Sequence, residues 1–152
     1  MWKRFAPIFC PGYAADMKKL LFRLWQWTWG FPQTMIGAVL YLIHRKCPHD
    51  RFHGCIVTYW NCRGSMSMGM FLFIDPKNPP KIMIHEFGHS IQSAILGPLF
   101  LPIMGIPSFL WCNLPQCRNH RRNKKVSYYR FYPERTANRL GSLVCKEECD
   151  LK

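Results

Sequence analysis

The stretch "IMIHEFGHSIQ", residues 82–92, contains His-Glu-x-x-His, a spacing with a known chemical use. His85 and His89 lie four apart, so an α-helix projects both imidazoles toward one point, as a tetrahedral zinc ion requires. Glu86 falls on the flank of that face, where a carboxylate reaches a metal-activated water rather than the metal. Zinc brings such a water toward neutral pKa, and the carboxylate takes its proton as it attacks a polarised carbonyl. A catalytic zinc takes three protein ligands, so one more is owed from elsewhere in the chain.

Glu134, in "PERTAN", is the choice for that ligand. Asn138 follows one helical turn later, where its amide can orient a ligand imidazole from behind. The rivals Glu147 and Glu148 sit in a charged tail. A transition-state donor is also expected, and spacing leaves Tyr128, Tyr129 and His120 open. His44, His49 and His53 lie in a basic connection and read as solvated. Cys112 and Cys117 are five apart and Cys145 and Cys149 four apart; neither pair has the tight C-x-x-C spacing of a structural zinc site.

His85, Glu86 and His89, followed by Glu134 and Asn138, resemble the gluzincin branch of zinc metallopeptidases. In that family two helices supply His-Glu-x-x-His and a downstream glutamate, with an acidic residue one turn after it. The resemblance implies His85, His89 and Glu134 as ligands of Zn2+, Glu86 as general base, and a peptide or protein substrate. Asn138 departs from the family's usual aspartate. "HEFGHSIQSAILGPLFLPIMGIPS" with "YPERTANRLG" is also similar to small, hydrophobic bacterial proteins, which implies a bacterial cell membrane as location. Membrane-embedded site-2 proteases place the pentad in an apolar helix too, but take their third ligand from an Asp-Gly element that does not follow here.

The elements that must hold these residues can be read around them. Asn78 suits a helix cap and Pro79-Pro80 a first turn, while Gly97-Pro98 is a stop, which bounds a helix from about 79 to 96. That helix is roughly 27 Å long and apolar nearly all round, so it must be buried in protein or lipid. Pro133 opens a second helix running to about Cys149. Upstream, Cys55 to Trp60 and Met68 to Ile74 read as two strands of a hairpin around a turn at 61–65.

Composition sets the wider frame. The chain has 152 residues, 49% hydrophobic and 15% aromatic, with a formal charge of +13. Such length holds one core, so 1–152 reads as a single domain, with an aromatic and apolar segment at 1–43 and the metallopeptidase core at 54–152. An oily yet strongly basic chain points to an anionic partner, phospholipid or nucleic acid, rather than to a neutral soluble enzyme. Residues 18–43 are broken by Gly30 and Pro32 into an aromatic half, with Trp25, Trp27 and Trp29, and an apolar half shorter than the about 20 residues a bilayer crossing needs. Residues 90–117 carry no charge but are punctuated by Pro98, Pro102, Gly105 and Pro107, a re-entrant pattern. "RNHRRNKK", 118–125, is a basic cluster that suits a cytoplasmic membrane flank, a phosphate-binding patch or a solvated loop. No signal peptide with a small-residue cleavage site is evident near the start, so the eight cysteines read as mostly reduced.

The expectation is an α+β protein with a minimal zincin-like core, a short hairpin plus the two motif helices, carrying apolar, membrane-associated helices. Its function is zinc-dependent peptide hydrolysis, with membrane lipid as a partner. The rival readings are a membrane protein with a metal site and no turnover, and a binder of nucleic acid, for which the apolar blocks speak less well.

Overall fold

The computed structural model describes residues 13–62, 64–146, 149 and 151. Two helices come first, α1 (Tyr13–Thr28) and α2 (Phe31–Ile43), parted at Trp29 and Gly30. Four short strands follow: β1 (His49–Phe52), β2 (Cys55–Tyr59), β3 (Met66–Met68) and β4 (Phe71–Ile74). Helix α3 (Lys81–Leu96) carries the pentad and runs through a 3₁₀ turn (Gly97–Leu99) and a π-helical turn (Leu101–Gly105) into α4 (Ile106–Asn113) and α5 (Pro115–Lys124). A 3₁₀ turn at Tyr128–Arg130 precedes α6 (Tyr132–Cys145).

The strands do not form the expected hairpin. Their order is β1-β2-β4-β3, with β2 and β4 parallel, Ile56 opposite Phe71 and Tyr59 opposite Ile74. After β2 the chain leaves a gap one strand wide, lays down β3, and reverses through Gly69 (φ 61°) so that β4 fills the gap. Hairpins join β3 to β4 through Gly69-Met70 and β1 to β2, where His53 and Gly54 both take positive φ, as a two-residue turn of the primed kind needs.

β4 is buried along its whole length because the sheet is covered on both faces. Val57, Leu72 and Ile74 meet Ile82 and Phe87 of α3 on one side. Phe71 and Phe73 meet Ala38, Leu40 and Tyr41 of α2 on the other. Helix α3 is therefore apolar all round because protein surrounds it. No helix among the described residues is long and apolar enough to cross a membrane, which corrects the expectation of apolar, membrane-associated helices as far as passage through the bilayer is concerned. The uncharged run at 90–117 is spent on the end of α3, two tight turns and the eight-residue α4. The basic cluster is helical in α5, consistent with the good helix propensity of Arg and Lys.

A buried polar clasp fixes α3 against the first two helices. Gln26 donates to the Ser90 carbonyl (2.8 Å) and accepts from Ser93 Oγ (2.9 Å). Gln33 donates to Ser93 Oγ (2.7 Å) and to the Gly97 carbonyl (3.0 Å), and Ser90 Oγ donates to the Gly69 carbonyl (2.6 Å). These bonds are far apart in sequence, so they register α1, α2 and the β3–β4 turn on the side of α3 away from its histidines.

Candidate metal centre

The face of α3 that bears His85 and His89 lies against α6, and glycine sets how closely the two helices approach. A Cβ at Gly88 would overlap the Ala137 carbonyl oxygen and lie 2.6 Å from its carbon. One at Gly141 would overlap the Ile84 carbonyl in the same way, 3.0 Å from its carbon. With those side chains absent, α6 settles directly on the pentad and carries Glu134 and Asn138 to it. The α6 helix starts with Pro133 at its first turn, as expected, but ends at Cys145 with Lys146 in the left-handed region. At its other end α3 stops at Gly97 (φ 55°), as its sequence requires, while it begins at Lys81 after Pro80 without a side-chain cap. Asn78 instead donates to Ser65 Oγ (2.9 Å).

Glu134 Oε2 stands 3.1 Å from His85 Nε2 and 3.5 Å from His89 Nε2, with all three residues buried. The ligand-type atoms of these three residues lie within 4.8 Å of one another. The other ring nitrogens are committed elsewhere. Gln92 Nε2 donates to the Pro133 carbonyl (2.8 Å), which can only accept, so Gln92 Oε1 is the end that faces His89 Nδ1 at 2.8 Å. Nδ1 of His89 therefore carries the proton and its Nε2 presents a lone pair. His85 Nδ1 is held in the same way by Asn138 Oδ1 at 2.5 Å. In the neutral histidines two imidazole lone pairs thus converge on a carboxylate oxygen that has no hydrogen-bond partner and no access to water. Three acceptors aimed at one buried point need positive charge between them, either a proton on an imidazole or a metal ion. The His85, His89 and Glu134 group can hold one.

Glu134 is fixed from the far side as well, because Ser108 of α4 donates to its Oε1. Burial alone would raise the Glu134 pKa, but imidazoles protonated at Nε2, donating to the carboxylate and paired with its charge, outweigh it and hold the carboxyl well below its usual range; positive charge at this point is what keeps Glu134 ionised. Glu86 is buried too, yet it does not join the converging group. Burial pushes its pKa up to about 7, with His85 opposing and the charge of Glu134 adding to the rise. The two buried carboxyls are thereby set to different protonation behaviour.

The Tyr129 ring stands edge-on to His85 with centroids 5.3 Å apart, and Tyr128 packs against Tyr129 at 5.2 Å. Burial, reinforced by the negative charges of Glu86 and Glu134, raises both phenol pKa values, so both keep their protons at neutral pH. His120 packs beside Trp111 and takes no part. His44, His49 and His53 contact Trp60, Tyr41 and Phe87 respectively and are likewise remote from the cluster. Cys47, Cys55, Cys62, Cys112 and Cys117 are free thiols; Glu147 and Glu148, the rival ligands, lie outside the described residues.

Two members of the site escaped the sequence reading. Gln92 had a usable signal, since it follows His89 by three on the same helix. Ser108 had none, lying 26 residues from Glu134 in an apolar run. No family profile, no curated protein and no solved structure matches the chain.

Proposed function

We propose that this protein is a zinc-dependent metallopeptidase of the His-Glu-x-x-His type, with His85, His89 and Glu134 as zinc ligands and Glu86 as general base. The observation that carries this reading is the buried, donor-free Glu134 Oε2 facing two ring nitrogens whose opposite sides are both already bonded. Zinc, rather than calcium or magnesium, suits two imidazoles and one carboxylate. Bound there, zinc would polarise a peptide carbonyl and lower the pKa of a water molecule.

The chain's own residues divide the remaining work. Asn138 and Gln92 hold the two imidazoles in one tautomer, and Ser108 holds Glu134 in one rotamer. Glu86, with its raised pKa, accepts a proton from water at its carboxylate and passes it to the leaving amine. The protonated hydroxyls of Tyr128 and Tyr129 are the donors available to a developing oxyanion.

The test combines metal content with turnover of a fluorogenic peptide library. Wild type and Glu86→Gln should both purify with stoichiometric zinc, with hydrolysis lost in the variant. Zinc should be absent from His85→Ala and Glu134→Ala. A wild-type protein without bound zinc sinks the proposal, and zinc binding with hydrolysis unchanged in Glu86→Gln removes the role of the base.

A further inference from the structure

Helix α2, "FPQTMIGAVLYLI", has no charged residue on any side. Its inner edge, Gln33, Thr34 and Gly37, is buried against the rest of the protein. Its outer face is not: Ile36 is 43% exposed, Val39 51%, Leu42 63% and Ile43 68%. At the end of α1, Trp25 and Trp29 are likewise 52% and 45% exposed while their indoles donate to the Ala94 and Ile95 carbonyls. Exposed apolar side chains in this number on two successive helices mark a binding face rather than ordinary scatter.

The charges around the face say what covers it. Between Asp16 and Asp50 there is no acidic residue; Lys19 pairs with Asp16 and Arg23 donates to the Gly54 carbonyl, which leaves Lys18 on α1 and Arg45 and Lys46 directly after α2 as the cations near this part of the chain. A second copy of a chain carrying +13 would bring like charges together around the patch. Nucleic acid would match the cations but leave the uncharged face of α2 without a partner. An anionic lipid surface satisfies both parts, with apolar side chains entering the acyl boundary, indoles at headgroup level and cations beside the phosphates. At 13 residues α2 is about 20 Å long, short of the about 30 Å of a bilayer core, so it lies along the surface and does not cross it.

We propose that the outer face of α2, together with Trp25 and Trp29, seats this protein on the surface of an anionic phospholipid bilayer. The proposal does not depend on the metal centre. Its test is co-sedimentation of the full chain with vesicles of phosphatidylcholine alone or mixed with phosphatidylglycerol, together with quenching of tryptophan fluorescence by brominated lipid. Wild type should pellet with the anionic vesicles, release at high salt and be quenched. Ile36→Glu with Val39→Glu, two exposed positions one turn apart, should weaken partitioning by about tenfold or more while circular dichroism and zinc content stay the same. Absence of wild-type binding or quenching with anionic vesicles overturns the proposal, as does equal binding by a folded variant. A lipid-free dimer that the double substitution dissociates would assign the face to a second copy instead. Should the variant fail to fold, quenching in the wild type decides the matter.

Discussion

Gly88→Ala should damage the metal centre without touching any ligand. A Cβ there would lie 2.6 Å from the Ala137 carbonyl carbon and closer still to its oxygen, whereas ordinary contact begins at 3.4 Å. The obstacle is backbone, so α3 and α6 must part by about 1 Å. Metal–ligand distances tolerate only about 0.2 Å, and Glu134 and Asn138 would both be carried away from His85 by several times that. Overpacking of this kind costs about 1–3 kcal/mol, set against a gain of about 1 kcal/mol for alanine over glycine in a helix. Loss of one well-placed ligand together with the partner of another should weaken zinc binding by about 100-fold, measured by competition with a chromophoric chelator. Gly105→Ala is the control: its backbone is helical (φ −63°, ψ −55°) and its Cβ would meet nothing nearer than 3.4 Å. That substitution should leave zinc affinity unchanged and leave the melting temperature level or slightly raised. If Gly88→Ala binds zinc as tightly as wild type, the close crossing of α3 and α6 does not set the site's geometry.

Two further predictions concern side chains at the centre. Ser108→Ala removes the hydroxyl that donates to Glu134 Oε1, a bond to a charged acceptor worth about 1.5–3 kcal/mol, and should lower zinc affinity about tenfold; calorimetric titration showing no change would remove Ser108 from the site. Glu86→Gln should alter the pH dependence of stability in zinc-stripped protein. Because the Glu86 pKa rises from 4.5 to about 7 on folding, its protonated form favours the folded state, so wild type should lose about 3 kcal/mol at this residue between pH 4.5 and 7, a loss absent from the variant; parallel urea-denaturation curves across that window would contradict the raised pKa.

What could be read from sequence was local. The C-terminal end of α3 is marked by Gly97 in the left-handed region, and the start of α6 by Pro133, because capping chemistry acts within a turn. The spacing of His85, His89, Glu134 and Asn138 carried over because two straight helices keep their periodicity once a glycine lets them touch. The sheet did not carry over. Pairing of β2 with β4 depends on β3 reaching past an open position, which no pattern in residues 60–70 announces. β1, "HDRF", lacks the alternation of a strand; its one strand partner is β2, across the His53-Gly54 turn. Ser108 was illegible for the same reason as the sheet, since its partner comes to it only through the folding of α4 across the start of α6.

Hydropathy misled in one respect, and the correction separates two properties of the molecule. A helix apolar on every side requires a surrounding, but its sequence does not say whether that surrounding is lipid or protein. For α3 the answer is the protein packed around it, with Gln26 and Gln33 reaching it as buried amides that donate to Ser90, Ser93 and Gly97. Among the described residues the outer side chains of α2 stay exposed. The sheet lies between these two situations, with α3 packed on one face and the Ala38–Tyr41 stretch of α2 on the other. A charge placed at Ile36 or Val39 is therefore insulated from His85 and Glu134 by the sheet and the core on either side of it. Lipid seating and metal binding should respond to different substitutions, so neither proposal can be rescued by the success of the other.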